Sequence, residues 1–358
     1  MKNRIYEIDY IRTICVIWIV GFWHMPNYIS NKFSSIFNNS LLFQITYCML
    51  AIFVLISGYF ACKYKIENFQ NAVQYYKNRF IRIYPLFAIA SILFVLLSIN
   101  PKNTLFNMLI GMGLSKKPYP LTLWFICMLL FFYLVAPILL LISNKHKRML
   151  LPFMVLIEIL FWRLNICYDF DIRLVYYWPL FAMGILVYKN DIVNFLKAIC
   201  NKIYRKIVFQ EKKHEYNKKM NNINKYLIIL CECIIYISFP ICIFLINAER
   251  GGVNFSIYTI VNSFLLFAFL FFLSFILNNK TKLYRIVQKI SYSSMCVYLF
   301  HRPILQSIVN IFGHPNVVIA YIGILPILFL IGYFIQLVYD KIILFILNKI
   351  TNPPTILE

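Results

Sequence analysis

The side chains most able to do chemistry in this sequence are ionisable residues within long apolar runs. The first run contains Arg12 and His24, and later runs contain Glu158, Glu232, His301 and Arg302. Inserting a charged group into a membrane span costs a few kcal/mol or more, so residues of this kind are functional candidates. An imidazole changes its protonation near neutral pH, which makes His24 a candidate general base. A single histidine at the end of a span is more often an interfacial residue, so its neighbours must be considered with it.

Arg12 and Asp9 share the first apolar run with His24. At about 1.5 Å per residue, a helix separates Arg12 from His24 by about 18 Å along its axis. One helix therefore carries a cation and a carboxylate towards one membrane face and a base towards the other. This pattern strengthens the case for His24 as an active-site residue. For Asp9 two alternatives stay open, an ordinary residue at a span entrance and a functional residue that orients Arg12.

Arg79 and Arg82 are three residues apart, so both can face one partner from the same side of a helix. Two guanidinium groups on one face suit an anionic ligand, and phosphate is the most obvious kind. The alternative is that both are ordinary cytoplasmic anchors, which explains their charge but does not require a shared face. Pro85 is expected to break or kink this helix at the membrane surface.

The remaining intramembrane charges need partners from other helices. Glu158 and Glu232 have no basic neighbour in their own runs, and either role, functional or structural, fits them. His301 and Arg302 lie deep in a late run, where an unpaired guanidinium is hard to place. Either they line a polar cavity or the span ends there.

The elements that must position these residues are membrane helices. The chain of 358 residues is 61% apolar and only 13% charged, and its mean hydropathy is +0.73. A soluble globular protein has charged residues near about a quarter of its length, so that class is excluded. Ten apolar runs are candidate spans: residues 8–24, 41–61, 84–98, 121–143, 149–162, 174–188, 227–248, 255–277, 290–312 and 317–339. The predicted fold is an all-α, polytopic membrane protein with about ten transmembrane helices.

The distribution of Lys and Arg predicts the orientation of these spans. With the N- and C-termini cytoplasmic, 26 of the 35 Lys and Arg residues lie in cytoplasmic segments, 7 in outer loops and 2 within spans. The same count attributes the net charge of +22 to the cytoplasmic loops, where it also favours contact with anionic lipids. Nucleic acid is therefore not an expected partner. We expect a multi-pass protein of the cytoplasmic (inner) membrane.

The predicted organisation is a single membrane-embedded domain over residues 1–350. It contains a basic cytoplasmic loop at about 189–226 and is followed by a short tail at 351–358. The ten cysteines lie mostly within apolar runs, and neither a CxxC pair nor a cysteine and histidine cluster has the spacing of a zinc site. No metal cofactor is therefore expected.

Four local motifs, taken together, resemble the acyltransferase-3 family of integral membrane O-acyltransferases. They are Ile8 to Arg12 with His24 at the end of the run, Phe53 to Phe60 (FVLISGYF), Arg79 to Pro85, and Ile290 to Ser293 with Tyr298 to Pro303. Trp124, Tyr133 and the segment from Phe181 to Gly184 also match family positions. The order of the motifs and the ten-span plan cover nearly the whole chain.

This resemblance implies transfer of an acetyl or other short acyl group from cytoplasmic acyl-CoA to a hydroxyl of a cell-surface polysaccharide or lipid-linked glycan. It implies that His24 is the catalytic histidine, acting as general base or carrying the acyl group itself, with Arg12 as its companion and Asp9 beside them. The residues expected at the acyl-CoA site are Arg79, Arg82, Tyr84, Ser57, Trp124, Tyr133 and His301. The expected partners are acetyl-CoA as donor, a glycan acceptor and membrane lipids.

One spacing departs from the family pattern. Ten residues usually separate the arginine from the histidine, whereas eleven separate Arg12 from His24. At about 100° per residue, the usual spacing puts both side chains about 20° apart, whereas the present spacing puts them about 120° apart. A one-residue π-bulge restores the alignment, and such bulges are common at functional sites. We predict one between Val16 and Trp23, with Gly21 as a plausible position.

Two other functions fit part of the pattern. A secondary transporter or glycan flippase could use Glu158, Glu232, Arg12 and His301 as a proton or substrate path. That alternative lacks an inverted repeat and does not explain Arg79 and Arg82. A subunit that only assembles a polysaccharide export complex would not need His24.

Overall fold

The computed structural model describes residues 4–30, 40–201, 253–277 and 282–351. Within these ranges every regular element is a helix and no strand is present, so the predicted all-α fold is confirmed for this part of the chain. The predicted span at 227–248, with Glu232, and most of the predicted basic loop at 189–226 lie outside the described residues.

The helices follow one another along the chain with short connections. The first, α1 (Tyr6–Ile17), continues into a π-helix (Trp18–His24) and a 3-10 turn (Met25–Tyr28). The others are α2 (Ser40–Ala61), α3 (Phe69–Leu96), α4 (Thr104–Leu109), α5 (Trp124–Lys145), α6 (Leu150–Tyr168), α7 (Arg173–Lys189), α8 (Ile192–Asn201), α9 (Val253–Leu277), α10 (Lys282–Phe312) and α11 (Leu325–Thr351). A second π-helix (Ile319–Ile324) leads into α11.

Seven segments of the described chain are long and apolar enough to cross a membrane. They are Tyr6–Tyr28, Leu42–Ala61, Phe69–Leu96, Trp124–Ile142, Leu150–Tyr168, Ile257–Leu277 and Ile319–Phe345. Such a set of helices is typical of a multi-pass membrane protein. The predicted spans at 174–188 and 290–312 correspond to α7, which has only 17 residues, and to α10, whose apolar residues are interrupted by Ser, Tyr, His and Arg. The total of ten spans and the cytoplasmic termini stay predictions.

The predicted break at Pro85 is absent, because α3 runs without interruption from Phe69 to Leu96. A proline in a helix removes the hydrogen bond to the carbonyl four residues earlier, here that of Ile81. The Tyr339 hydroxyl of α11 donates a hydrogen bond to this carbonyl instead. A contact between helices therefore replaces the missing bond, and the helix carrying Arg79 and Arg82 begins well before the predicted span at 84–98.

Helices α2 and α7 approach each other closely through two glycines. A Cβ atom on Gly58 would lie 2.1 Å from the carbonyl oxygen of Phe181, and one on Gly184 would lie 2.0 Å from that of Leu55. No larger residue fits at either position without moving the backbone. The pair fixes α2, which carries Ser57, against a helix that is almost wholly buried.

Helix α1 lies inside the bundle, where it packs against α2, α9 and α10. Ile11, Cys15 and Val16 are completely buried. Near the start of α1, the fully buried carboxylate of Glu7 pairs with Lys197 of α8 at 3.2 Å. The helix is thus fixed on several sides, as required of an element that carries two candidate catalytic residues.

Candidate active site

The last part of the first span is π-helical from Trp18 to His24, so the predicted π-bulge is confirmed. A π-helix closes its hydrogen bonds over one residue more than an α-helix does, which accommodates the extra residue between Arg12 and His24. The Gly21 carbonyl also accepts a hydrogen bond from the Tyr321 hydroxyl at 2.9 Å. Gly21 lies so near Leu325 that an added Cβ would be 3.2 Å from its side chain.

Arg12 and His24 both reach the same face of α10. Arg12 Nη2 donates a hydrogen bond to Ser294 Oγ at 2.7 Å, and His24 Nδ1 lies 2.8 Å from His301 Nε2. Ser294 and His301 are seven residues apart, which is about two helical turns, so their side chains lie on one stripe of α10. The π-helix therefore aligns Arg12 with His24, as the usual spacing of ten residues does in a regular α-helix.

The hydrogen bonds of the histidine pair determine where the protons lie in the neutral rings. His301 Nδ1 is 2.7 Å from the Tyr298 carbonyl, which can only accept, so this nitrogen carries the hydrogen. His301 Nε2 is then an acceptor, and His24 Nδ1 donates to it. The Nε2 atom of His24 is left with a free lone pair, as a general base requires. Both rings are buried, with exposed fractions of 7% for His24 and 0% for His301.

Asp9 lies apart from this pair and does not hydrogen-bond to Arg12. Its carboxylate accepts hydrogen bonds from Arg4 Nε at 2.6 Å, Ser291 Oγ at 2.7 Å and the Tyr284 hydroxyl at 3.0 Å. These contacts join the start of α1 to the start of α10. Asp9 is thus placed to hold together the two helices that carry the histidines.

A cavity of about 420 Å³ opens beside Arg12. Its lining contains four cationic side chains, Arg12, Lys63, Arg79 and Arg82, and no carboxylate among the described residues. Ser57 and Tyr133 line it as well. Such an excess of positive charge next to apolar walls suits a ligand with several negative charges and an apolar arm.

Arg79 is held in the cavity wall by aromatic rings. Its guanidinium carbon lies 4.5 Å from the centre of the Tyr133 ring and 5.4 Å from those of Tyr64 and Tyr75. Cation–π contacts of this kind orient a guanidinium without neutralising it. The Nε atom of Arg79 is buried and has no hydrogen-bond partner in the described part of the chain, so it can donate to a bound anion.

Three of the residues expected at the donor site lie outside this lining. The Tyr84 hydroxyl donates to the Leu109 carbonyl at 2.6 Å, and Trp124 packs under the Arg173 guanidinium at 4.0 Å. His301 contacts His24 instead. The structure therefore brings Arg79, Arg82, Ser57 and Tyr133 together in one cavity and places the other three elsewhere. The donor role of all seven stays a prediction.

Lys63, Tyr64, Tyr292 and Gln336 line the cavity but were not singled out from the sequence. Lys63 lies two residues after the apolar run at 41–61, a position where a lysine is usually an anchor. Partial burial of the Lys63 ammonium group lowers its pKa, and the charge of Asp9 opposes that effect. One signal in the sequence could have identified Lys63. It is a cation that follows a span and lies in the same cytoplasmic segment as Arg79 and Arg82.

Glu158 does not line this cavity. Glu158 is on α6, and its buried Oε2 has no hydrogen-bond partner in the described part of the chain. Within the described ranges, no group of three or more His, Cys, Asp or Glu side chains could hold a metal ion.

Comparison with protein families gives a match over nearly the whole chain. The model of a protein family described as an acyltransferase domain matches residues 5–338, which include every residue of the cavity and of the histidine pair. Neither a curated protein nor a solved structure matches the chain significantly.

Proposed function

Because the chain belongs to the acyltransferase-3 family and has the helices of a membrane protein, we propose that it is a membrane O-acyltransferase that uses cytoplasmic acetyl-CoA or another short acyl-CoA. The acyl group passes to a hydroxyl of a cell-surface polysaccharide or a lipid-linked glycan. The protein acts in the cytoplasmic membrane, with His24 as general base. Family membership favours this activity over a transporter or a purely structural subunit.

The observation that supports the proposal most directly is the cationic cavity next to Arg12. Coenzyme A carries a diphosphate and a 3′-phosphate at its nucleotide end and the thioester at the end of a long pantetheine arm. In our proposal the phosphates bind Lys63, Arg79 and Arg82 at the mouth of the cavity. The arm passes along the apolar lining towards Arg12, which orders the donor.

His24 then acts at the thioester. As the acceptor oxygen attacks the thioester carbon, Nε2 of His24 takes the hydroxyl proton and a new C–O bond forms. The C–S bond breaks, and the thiolate of coenzyme A receives the proton from His24, so the products are an ester and free coenzyme A. A positioned base of this kind contributes about 10²- to 10⁴-fold to the rate.

The test of the catalytic proposal is acetyl transfer from labelled acetyl-CoA to extracted envelope glycans in membranes. Wild type is compared with His24→Ala and with His146→Ala, an exposed histidine of the connection between α5 and α6, at matched expression. We expect labelling to be lost in His24→Ala alone. Equal labelling by His24→Ala and wild type would remove His24 from the reaction.

The donor half of the proposal is tested with Arg79→Gln and with Lys77→Gln, which removes an exposed cation two residues away. We expect Arg79→Gln to raise KM for acetyl-CoA about tenfold or more, because it loses charge-assisted hydrogen bonds to phosphate. KM for S-acetylpantetheine, which lacks the nucleotide phosphates, should change little. Equal effects on both donors, or from both variants, would separate Arg79 from phosphate binding.

A further inference from the structure

Arg302 is a cation within α10 that the proposed mechanism does not use. It follows His301 directly, is half-buried, and does not line the cationic cavity. Among the described residues, its buried Nε atom has no hydrogen-bond partner, and no ion pair gives it a carboxylate. An unused guanidinium donor of this kind is available to an anionic ligand.

Arg302 lies next to the histidine pair, on the side of the pair that is further from Arg12. The turn Met25–Tyr28 packs against α10, and the residue before Arg302 contacts His24 through the pair of rings. Arg302 accordingly lies within electrostatic range of His24, Tyr28 and Tyr298. Tyr28 is buried, and its carbonyl accepts a hydrogen bond from His314 Nδ1 at 3.3 Å. No carboxylate belongs to this set of residues, so an anion entering here meets no negative side chain among them.

We propose that Arg302 and Tyr28 form an anion-binding subsite for the acceptor, which carries a phosphate group close to the hydroxyl that is acylated. This inference rests on the proposed function, because the acceptor binds next to Arg302 only if His24 is the catalytic base. The phosphate belongs either to the lipid carrier of a lipid-linked glycan or to the glycan itself. The first span then separates two anion sites, with the donor phosphates near Arg79 and the acceptor phosphate near Arg302.

The experiment measures binding, so it does not depend on acyl transfer. Purified protein in nanodiscs is saturated with coenzyme A to occupy the cationic cavity. Binding of a polyprenyl phosphate is compared with that of the polyprenol of equal length, and binding of a sugar phosphate with that of the free sugar. Arg302→Gln is the test variant, and Arg163→Gln, which removes an exposed arginine from α6, is the matched control.

We expect wild type and Arg163→Gln to bind the phosphate form about tenfold or more tightly than the uncharged form in at least one of the two pairs. Arg302→Gln should lose this preference, and Arg302→Lys should keep part of it. A preference confined to the polyprenyl pair assigns the phosphate to the lipid carrier, and one in the sugar pair assigns it to the glycan.

Three results would overturn the inference. These are equal binding of charged and uncharged forms by wild type, an equal loss in Arg163→Gln, and a loss of acetyl-CoA binding in Arg302→Gln, which would place Arg302 in the donor site. A failure of the proposed function would give a different result, namely unchanged acetyl transfer by His24→Ala.

Discussion

At the residue scale, His24 receives its orientation from His301, and His301 receives its own from the Tyr298 carbonyl. This chain of hydrogen bonds selects the tautomer of His24 whose Nε2 can accept a proton. We therefore predict that His301 acts through His24, as a positioning residue, whereas the family resemblance implies a role at the donor site. The late-span motif alone implied a donor-binding role, because a motif does not show which helix its histidine faces.

We predict that His301→Phe lowers kcat for acetyl transfer by about tenfold or more and leaves KM for acetyl-CoA unchanged. His301→Gln should retain more activity, because its amide oxygen can still accept the hydrogen of His24 Nδ1. Steady-state kinetics in membranes measures both constants. A raised KM with unchanged kcat would return His301 to the donor site, as the family resemblance implies.

The sequence predicts residue pairs best when both residues are close together in the chain and lie on one helix. Arg79 and Arg82 share a helix, and the spacing of Arg12 and His24 can be counted, so their geometry follows from helix periodicity. The contact between His24 and His301 joins residues 277 positions apart. Lys63, in the turn after α2, and Gln336, on α11, are likewise far apart in the sequence, and their place in the cavity depends on packing that no local pattern contains.

At the element scale, the π-helix at Trp18–His24 compensates for one additional residue in the first span. Deletion of Phe22 should turn this segment into an α-helix of the usual family spacing and keep acetyl transfer within about tenfold of wild type. Insertion of an alanine between Val16 and Ile17 should abolish transfer, because it turns His24 by about 100° relative to Arg12.

Labelled acetyl transfer at matched expression measures both length variants. The prediction is wrong if the Phe22 deletion gives a correctly inserted but inactive protein, because the π-helix itself would then be required.

The close packing of α2 against α7 is a second feature at the scale of whole helices. Gly184→Ala should destabilise the protein by about 1–3 kcal/mol or more, because the new Cβ overlaps the Leu55 carbonyl. Gly323→Ala is the control, since an added Cβ there has no neighbour within 4 Å. Thermal unfolding in detergent should show a lower Tm for Gly184→Ala alone. Similar Tm values for the two variants would mean that the helices separate at little cost.

At the scale of the whole molecule, the orientation in the membrane rests on the distribution of Lys and Arg. Cys167, near the end of α6, is the exposed member of the seven free cysteines of the described chain. With cytoplasmic termini, Cys167 lies on the outer side, so we predict that a membrane-impermeant maleimide labels it in intact cells. Cys167→Ser should remove that labelling, and labelling seen only after lysis would reverse the orientation.

The first span bears Arg12 beside the cationic cavity and His24 twelve residues further along. With the orientation and the residue roles proposed above, this separation would make the reaction vectorial. Coenzyme A would stay in the metabolic compartment that regenerates it, and the cell would lose no nucleotide to its surroundings. Only the small acyl unit would leave, delivered to a compartment that has no thioester supply of its own.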